Sequence, residues 1–123
     1  MSDCNICLGD YEGDLPSAYW EQWRVAKKEH KCCECGKPIS KGQRYEYWRC
    51  VDGGEFSVYK TCEICQEIRT AFHCNGSWTF TTLWEEIEEI LFPEMTTGCL
   101  EKLTSAAAKN FLLMRWNEWK FDK

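Results

Sequence analysis

Hydrophobic and polar residues recur along this chain with a period that changes several times, and each change predicts a new element. Within 14–30 (DLPSAYWEQWRVAKKEH), Tyr19, Trp23 and Ala26 fall on one stripe at helical spacing. Asp14 stands where a cap would and Pro16 suits a first turn, so a helix is predicted there. Gly36, Pro38 and Gly42 in KCCECGKPISKGQRY are turn chemistry. From 44 to 60 the composition changes: RYEYWRCV and EFSVYK are rich in aromatic and β-branched residues and flank Asp52-Gly53-Gly54, which predicts a β-hairpin. TCEICQEIRTAF returns to the helical period, with Thr61 as cap and Ile64, Ile68 and Phe72 as its stripe. After the linker HCNGSW, Thr82 and Glu85 read as a capping box for a helix over 82–92. Leu83, Ile87, Ile90 and Leu91 form its apolar face and Pro93 stops it. A last helix is predicted over about 97–120.

The expected fold is therefore α+β, with a core and N-terminal helix over 1–93 and a C-terminal helical extension over 94–123 packed on it. Composition supports a folded chain: 123 residues, 44% of them hydrophobic, are enough for a packed core. The mean hydropathy of -0.53 and the absence of a run of about 18 apolar residues argue against a membrane span. Met1, Ser2, Asp3 and Cys4 begin no basic or apolar leader, so the expected setting is a reducing cytoplasm. In that setting ten cysteines read as metal ligands more readily than as disulfides.

Six of the ten cysteines form three C-x-x-C pairs: Cys4/Cys7, Cys32/Cys35 and Cys62/Cys65. Cys32-x-x-Cys35-Gly36 has the form of a zinc knuckle, the glycine letting the chain turn its amides toward the thiolates. The predicted hairpin follows. Cys62-x-x-Cys65 then falls in the first turn of a predicted helix, where the helix dipole favours thiolate. Knuckle, hairpin and helix in this order resemble the treble-clef zinc finger over about residues 30–74, which implies a closed structural site of Cys32, Cys35, Cys62 and Cys65 for Zn²⁺. Cys4 and Cys7 would need ligands of their own. The expected second site is Cys4, Cys7, Cys74 and Cys33, with His30 or His73 as substitutes for the last. Cys50 and Cys99 are expected to be plain core residues. A RING cross-brace fails, because its central Cys-x-His-x-x-Cys is missing.

No set of residues suited to catalysis stands out. The only histidines, His30 and His73, lie outside the predicted hairpin and helix, where an HNH-type nuclease would need them. There is no Gly-rich phosphate loop and no deaminase H-x-E with C-x-x-C. Glu85, Glu86, Glu88 and Glu89 read as a solvated helix face. The chain is therefore expected to bind rather than to catalyse.

Charge bears on what it binds. The formal net charge is -5, and each Zn²⁺ held by four thiolates adds about -2. Basic residues concentrate in 24–69, ten against seven acids, a weak excess for binding phosphates once zinc is counted. Within that stretch Arg24, Lys27, Lys28, Lys31, Lys37, Lys41, Arg44, Arg49 and Lys60 cluster around the knuckle and hairpin and interleave with Tyr45, Tyr47, Trp48, Phe56 and Tyr59, a combination that could stack bases. Nucleic acid is thus the alternative partner. A protein partner is the first expectation, because Arg115, Trp116, Trp119 and Phe121 place contact-prone side chains near the C-terminus. A homodimer through the last helix is one version of this, and mimicry of nucleic acid by the acidic segments another.

The run HKCCECGKPISKGQRYEYWRCVDGGEFSVYKTCEIC, followed by GSWTFTTLWEEI, is similar to a family of small proteins encoded by bacteriophages and prophages. The likeness covers about residues 25–90 and carries no assigned activity. It implies a bacterial host cytoplasm and an accessory protein that modulates or inhibits a host or defence protein.

Overall fold

The computed structural model describes residues 4, 6–8, 18–52, 54–73 and 80–121. The chain divides into two compact units, Glu12–Gln66 and Met1–Tyr11 with Glu67–Lys123. The expected break at 93/94 lies inside the second of these.

The first unit is built on sheets. Strands β1 (Ala18–Val25), β4 (Arg44–Asp52) and β5 (Glu55–Cys62) form an antiparallel sheet in the order β1-β4-β5. The register runs without interruption from Ala18↔Val51 to Val25↔Arg44 and from Tyr45↔Cys62 to Asp52↔Glu55. The expected hairpin is present, and Gly54 in its turn has φ +86°, a conformation that costs glycine little. Two short strands, β2 (His30–Lys31) and β3 (Pro38–Ile39), pair across the turn that carries Cys32–Cys35.

The helix expected over 14–30 is not formed: residues 18–25 are strand β1, and 14–17 lie outside the described residues. AYWEQWRV contains two tryptophans, a tyrosine and a valine, residues that favour a pleated surface. The stripe of Tyr19, Trp23 and Ala26 buries only Ala26, while every residue from Tyr19 to Val25 is exposed. With no core to hide its apolar side, the segment gains more from eight backbone pairings along β4 than from an unsupported helix.

Among the described residues of this unit, the buried apolar ones are few: Ala26, Ile39, Tyr45 and two of the cysteines, Cys32 and Cys65. These side chains alone make a small core for hydrophobic burial to act through.

The second unit is helical and has the larger core. Helix α1 (Glu63–Phe72) starts in the first unit and ends in this one. Of its expected stripe, Ile68 and Phe72 are fully buried and Ile64 is half-buried, but Thr61 is not its cap. Thr61 belongs to β5 and is buried within it. Helix α2 (Leu83–Glu86) passes into a π-helical turn at Ile87–Leu91 and a 3-10 turn at Phe92–Glu94 that contains Pro93. No capping box forms: the Thr82 hydroxyl donates to the Glu86 carboxylate at 3.0 Å, and Glu85 is exposed. The wider π turn keeps Ile87 and Leu91 buried and leaves Ile90 exposed.

The single helix expected over 97–120 is two elements, a 3-10 segment at Thr97–Lys102 and helix α3 at Ala106–Phe121. Leu103 is extended between them (φ -95°, ψ 144°). The reason is a cap. Ser105 Oγ accepts from the Ala108 amide at 3.1 Å and donates to Glu67 Oε1 at 2.7 Å. Glu67 Oε2 also accepts from the Thr104 and Ser105 amides. A carboxylate on α1 thereby fixes where α3 begins. From there Ala108, Phe111, Leu112 and Trp116 form the buried stripe of α3.

Candidate metal centre and the sheet it supports

Four thiols converge where the turn, the end of the hairpin and the start of α1 meet. Gly36, at φ +75°, donates its amide to the Cys32 carbonyl at 3.1 Å and closes the turn that carries Cys32 and Cys35. The Cys33 amide bonds the Lys60 carbonyl at 2.8 Å, docking that turn onto β5. Cys62 is the last residue of β5, and Cys65 lies in the first turn of α1.

The ligand atoms of Cys32, Cys35, Cys62 and Cys65 all lie within 4.8 Å of one another, and those of Cys35 and Cys62 are 4.0 Å apart. A tetrahedral four-thiolate site with metal–sulfur bonds of about 2.3 Å has sulfur–sulfur edges of about 3.8 Å, so the cluster fits a metal ion. Backbone amides complete the fit. Glu34 and Cys62 donate to Cys32 Sγ, and Cys65 donates to Cys62 Sγ, each at 3.4 Å. Such bonds stabilise negative sulfur.

Electrostatics within the cluster say the same. Hydrogen bonds from Cys35, Cys62 and Cys65 hold the Cys32 thiol far below its ordinary range. At Cys35, the contact with Cys32 acts upward, but those with Cys62 and Cys65 outweigh it and leave it lowered to about 7. Cys32 and Cys35 then push Cys62 well up, and Cys32, Cys35 and Cys62 do the same to Cys65. Four sulfurs this close resist carrying four charges unless a cation lies among them.

The other expected ligands go elsewhere. Cys4 forms a disulfide with Cys99, and Cys7 is disulfide-bonded too. Cys33 Sγ lies 3.5 Å from the Thr61 hydroxyl, in the other unit from Cys4. Cys74 lies outside the described residues. His30 Nδ1 accepts from Lys60 Nζ at 3.1 Å; partial burial, then Lys60 and Lys28, hold its pKa below the usual value. His73 is buried, with Nδ1 3.0 Å from the Arg69 carbonyl and Nε2 3.5 Å from Glu86. Cys99 is therefore no plain core residue. No spacing in the sequence marks it, because its partner is 95 positions away. Cys50 remains a free thiol on β4.

The residues expected at a contact surface near the C-terminus are divided. Trp116 is buried and serves the core of its unit, with Lys120 Nζ 3.5 Å over its ring. Arg115 lies over the Trp84 ring at 4.5 Å, and Trp119 tilts against Phe92. Phe121 alone of the four is fully open, at 89% exposure. Trp116 turns inward because it continues the stripe of Ala108 and Leu112 at four-residue steps.

Among the described residues, the other exposed rings lie on the sheet. Tyr19, Trp20, Trp23 and Phe56 are all exposed. Tyr19 stacks on Trp48 with centroids 4.8 Å apart, and Trp48 Nε1 donates to Glu21 at 2.7 Å. Reading β1 as a helix hid Trp20 from sequence reasoning; the signal that could have found it was the density of aromatic and β-branched residues in AYWEQWRV. No protein family, curated protein or solved structure matches this chain.

Proposed function

We propose that this chain is a zinc-built binding module of treble-clef type, whose contact surface is the sheet β1-β4-β5. One observation carries the reading: four thiols from a turn, a strand end and a helix start converge in a unit whose described residues bury little else. Zn²⁺ suits four thiolates in tetrahedral order, and with all four positions taken by protein none is left for a substrate. The ion would tie the turn, β5 and α1 together, and the sheet would stand on that base with its rings in solvent. The likeness to small phage proteins supports a role as an accessory that modulates or inhibits a component of a bacterial host.

The test is capture from a bacterial lysate by the zinc-loaded chain and two variants. Trp20→Ala/Phe56→Ala should lose the partner, whether protein or nucleic acid, while Trp119→Ala/Phe121→Ala should keep it. Loss by the second variant with retention by the first would return the contact surface to the C-terminal helix.

A further inference from the structure

The two faces of the sheet differ in charge. Strict alternation along β1, β4 and β5 places Trp20, Arg24, Tyr47, Arg49, Phe56 and Lys60 on one face. That face has no Asp or Glu at any position in the three strands, whereas Glu21, Glu46 and Glu55 are all on the other. Three cations thus stand together on an acidic protein, and sequence counts that pool both faces conceal them.

The cations and rings are interleaved in space. Arg49, on the central strand, lies 4.6 Å from the Trp20 centroid and 5.3 Å from that of Phe56. Its Nε, buried in the sheet, has no hydrogen-bond partner among the described residues. The Arg24 guanidinium lies 3.6 Å over Tyr47. Trp20 and Phe56 are 49% and 59% exposed, so an incoming flat group would reach both.

We propose that this face binds single-stranded nucleic acid, one base stacking on Trp20 and another on Phe56 with the phosphate between them over Arg49. This rests on the sheet being the contact surface. Unpaired bases offer π-faces to exposed rings, and every base has one, so the site selects single strands rather than a sequence. A duplex hides those faces in its base stack, so the exposed rings would have nothing to stack on. An acidic peptide would satisfy the cations but would leave both exposed rings without a matching group.

The experiment is fluorescence anisotropy with labelled oligothymidine, an RNA of mixed sequence, and a duplex of equal length. With three cations meeting phosphates, the logarithm of the association constant should fall against the logarithm of salt concentration with a slope of about -2. Single strands should bind more tightly than the duplex. Trp20→Ala and Phe56→Ala should each weaken binding at least about fivefold. Arg49→Ala should flatten the salt slope, and Arg44→Ala, on the opposite face, should change nothing. Zinc content and far-UV circular dichroism of each variant establish that it is folded.

Absence of binding at low salt, equal affinity for duplex, or indifference to these variants would overturn the proposal. If the lysate partner is instead a nuclease-resistant protein lost with Trp20→Ala/Phe56→Ala, the sheet remains the contact surface and only its nucleic-acid assignment fails.

Discussion

Arg49 lies over the ring of Trp20, 4.6 Å from its centroid, joining the edge strand β1 to the middle of the sheet. The two are direct cross-strand partners. A cation over an exposed indole is worth about 0.5–1 kcal/mol. A double-mutant cycle of Trp20→Ala and Arg49→Ala in urea denaturation should return a coupling of that size. A coupling near zero would mean that the pairing does not hold β1 in place.

The junction of Glu67 with Thr104 and Ser105 supports a second prediction. Burial acts to raise the Glu67 pKa, but hydrogen bonds from Ser105 and Thr104 outweigh it and hold the carboxyl below its ordinary 4.5. A group depressed in the folded state stabilises fully above its unfolded pKa and loses that contribution as pH falls through the lower folded value. Glu67→Gln should therefore cost about 1 kcal/mol near neutral pH, with fraying at the start of α3. The cost should shrink as the pH drops below about 4. Amide exchange of Ala106–Lys109 against pH reads this directly; unchanged protection in the variant would count against the cap.

The Cys4–Cys99 disulfide closes a loop across 95 positions. Cys99→Ala should destabilise the helical unit by about 2–4 kcal/mol in non-reducing buffer. With a reductant present, wild type and variant should nearly coincide. Urea curves with and without reductant check this, and a difference that persists under reduction would assign the loss to packing at Cys99 instead.

Much of the metal centre was legible in the chain, because a C-x-x-C pair is a local signal and the Asp52-Gly53-Gly54 turn sets the hairpin between two of them. The stripe of Ile64, Ile68 and Phe72 was legible for the same reason. What escaped depended on distant partners. Residues 18–25 look helical by the spacing of Tyr19, Trp23 and Ala26, and only β4 makes them a strand. The break before α3 depends on Glu67, and Trp116 reads as a contact residue until α3 turns it inward. Charge shows the same limit: a pooled count gives a nearly neutral stretch, while the pleat separates cations from acids.

The most direct test of the account is metal release. The 123-residue chain, purified without chelator, is treated with a mercurial in the presence of a zinc-sensitive dye. One zinc per chain should appear, and Cys32→Ser, Cys35→Ser, Cys62→Ser or Cys65→Ser should each reduce what is bound, whereas Cys50→Ser should not. A folded chain that carries no zinc and leaves those four thiols freely reactive would contradict the claim that a metal builds this module.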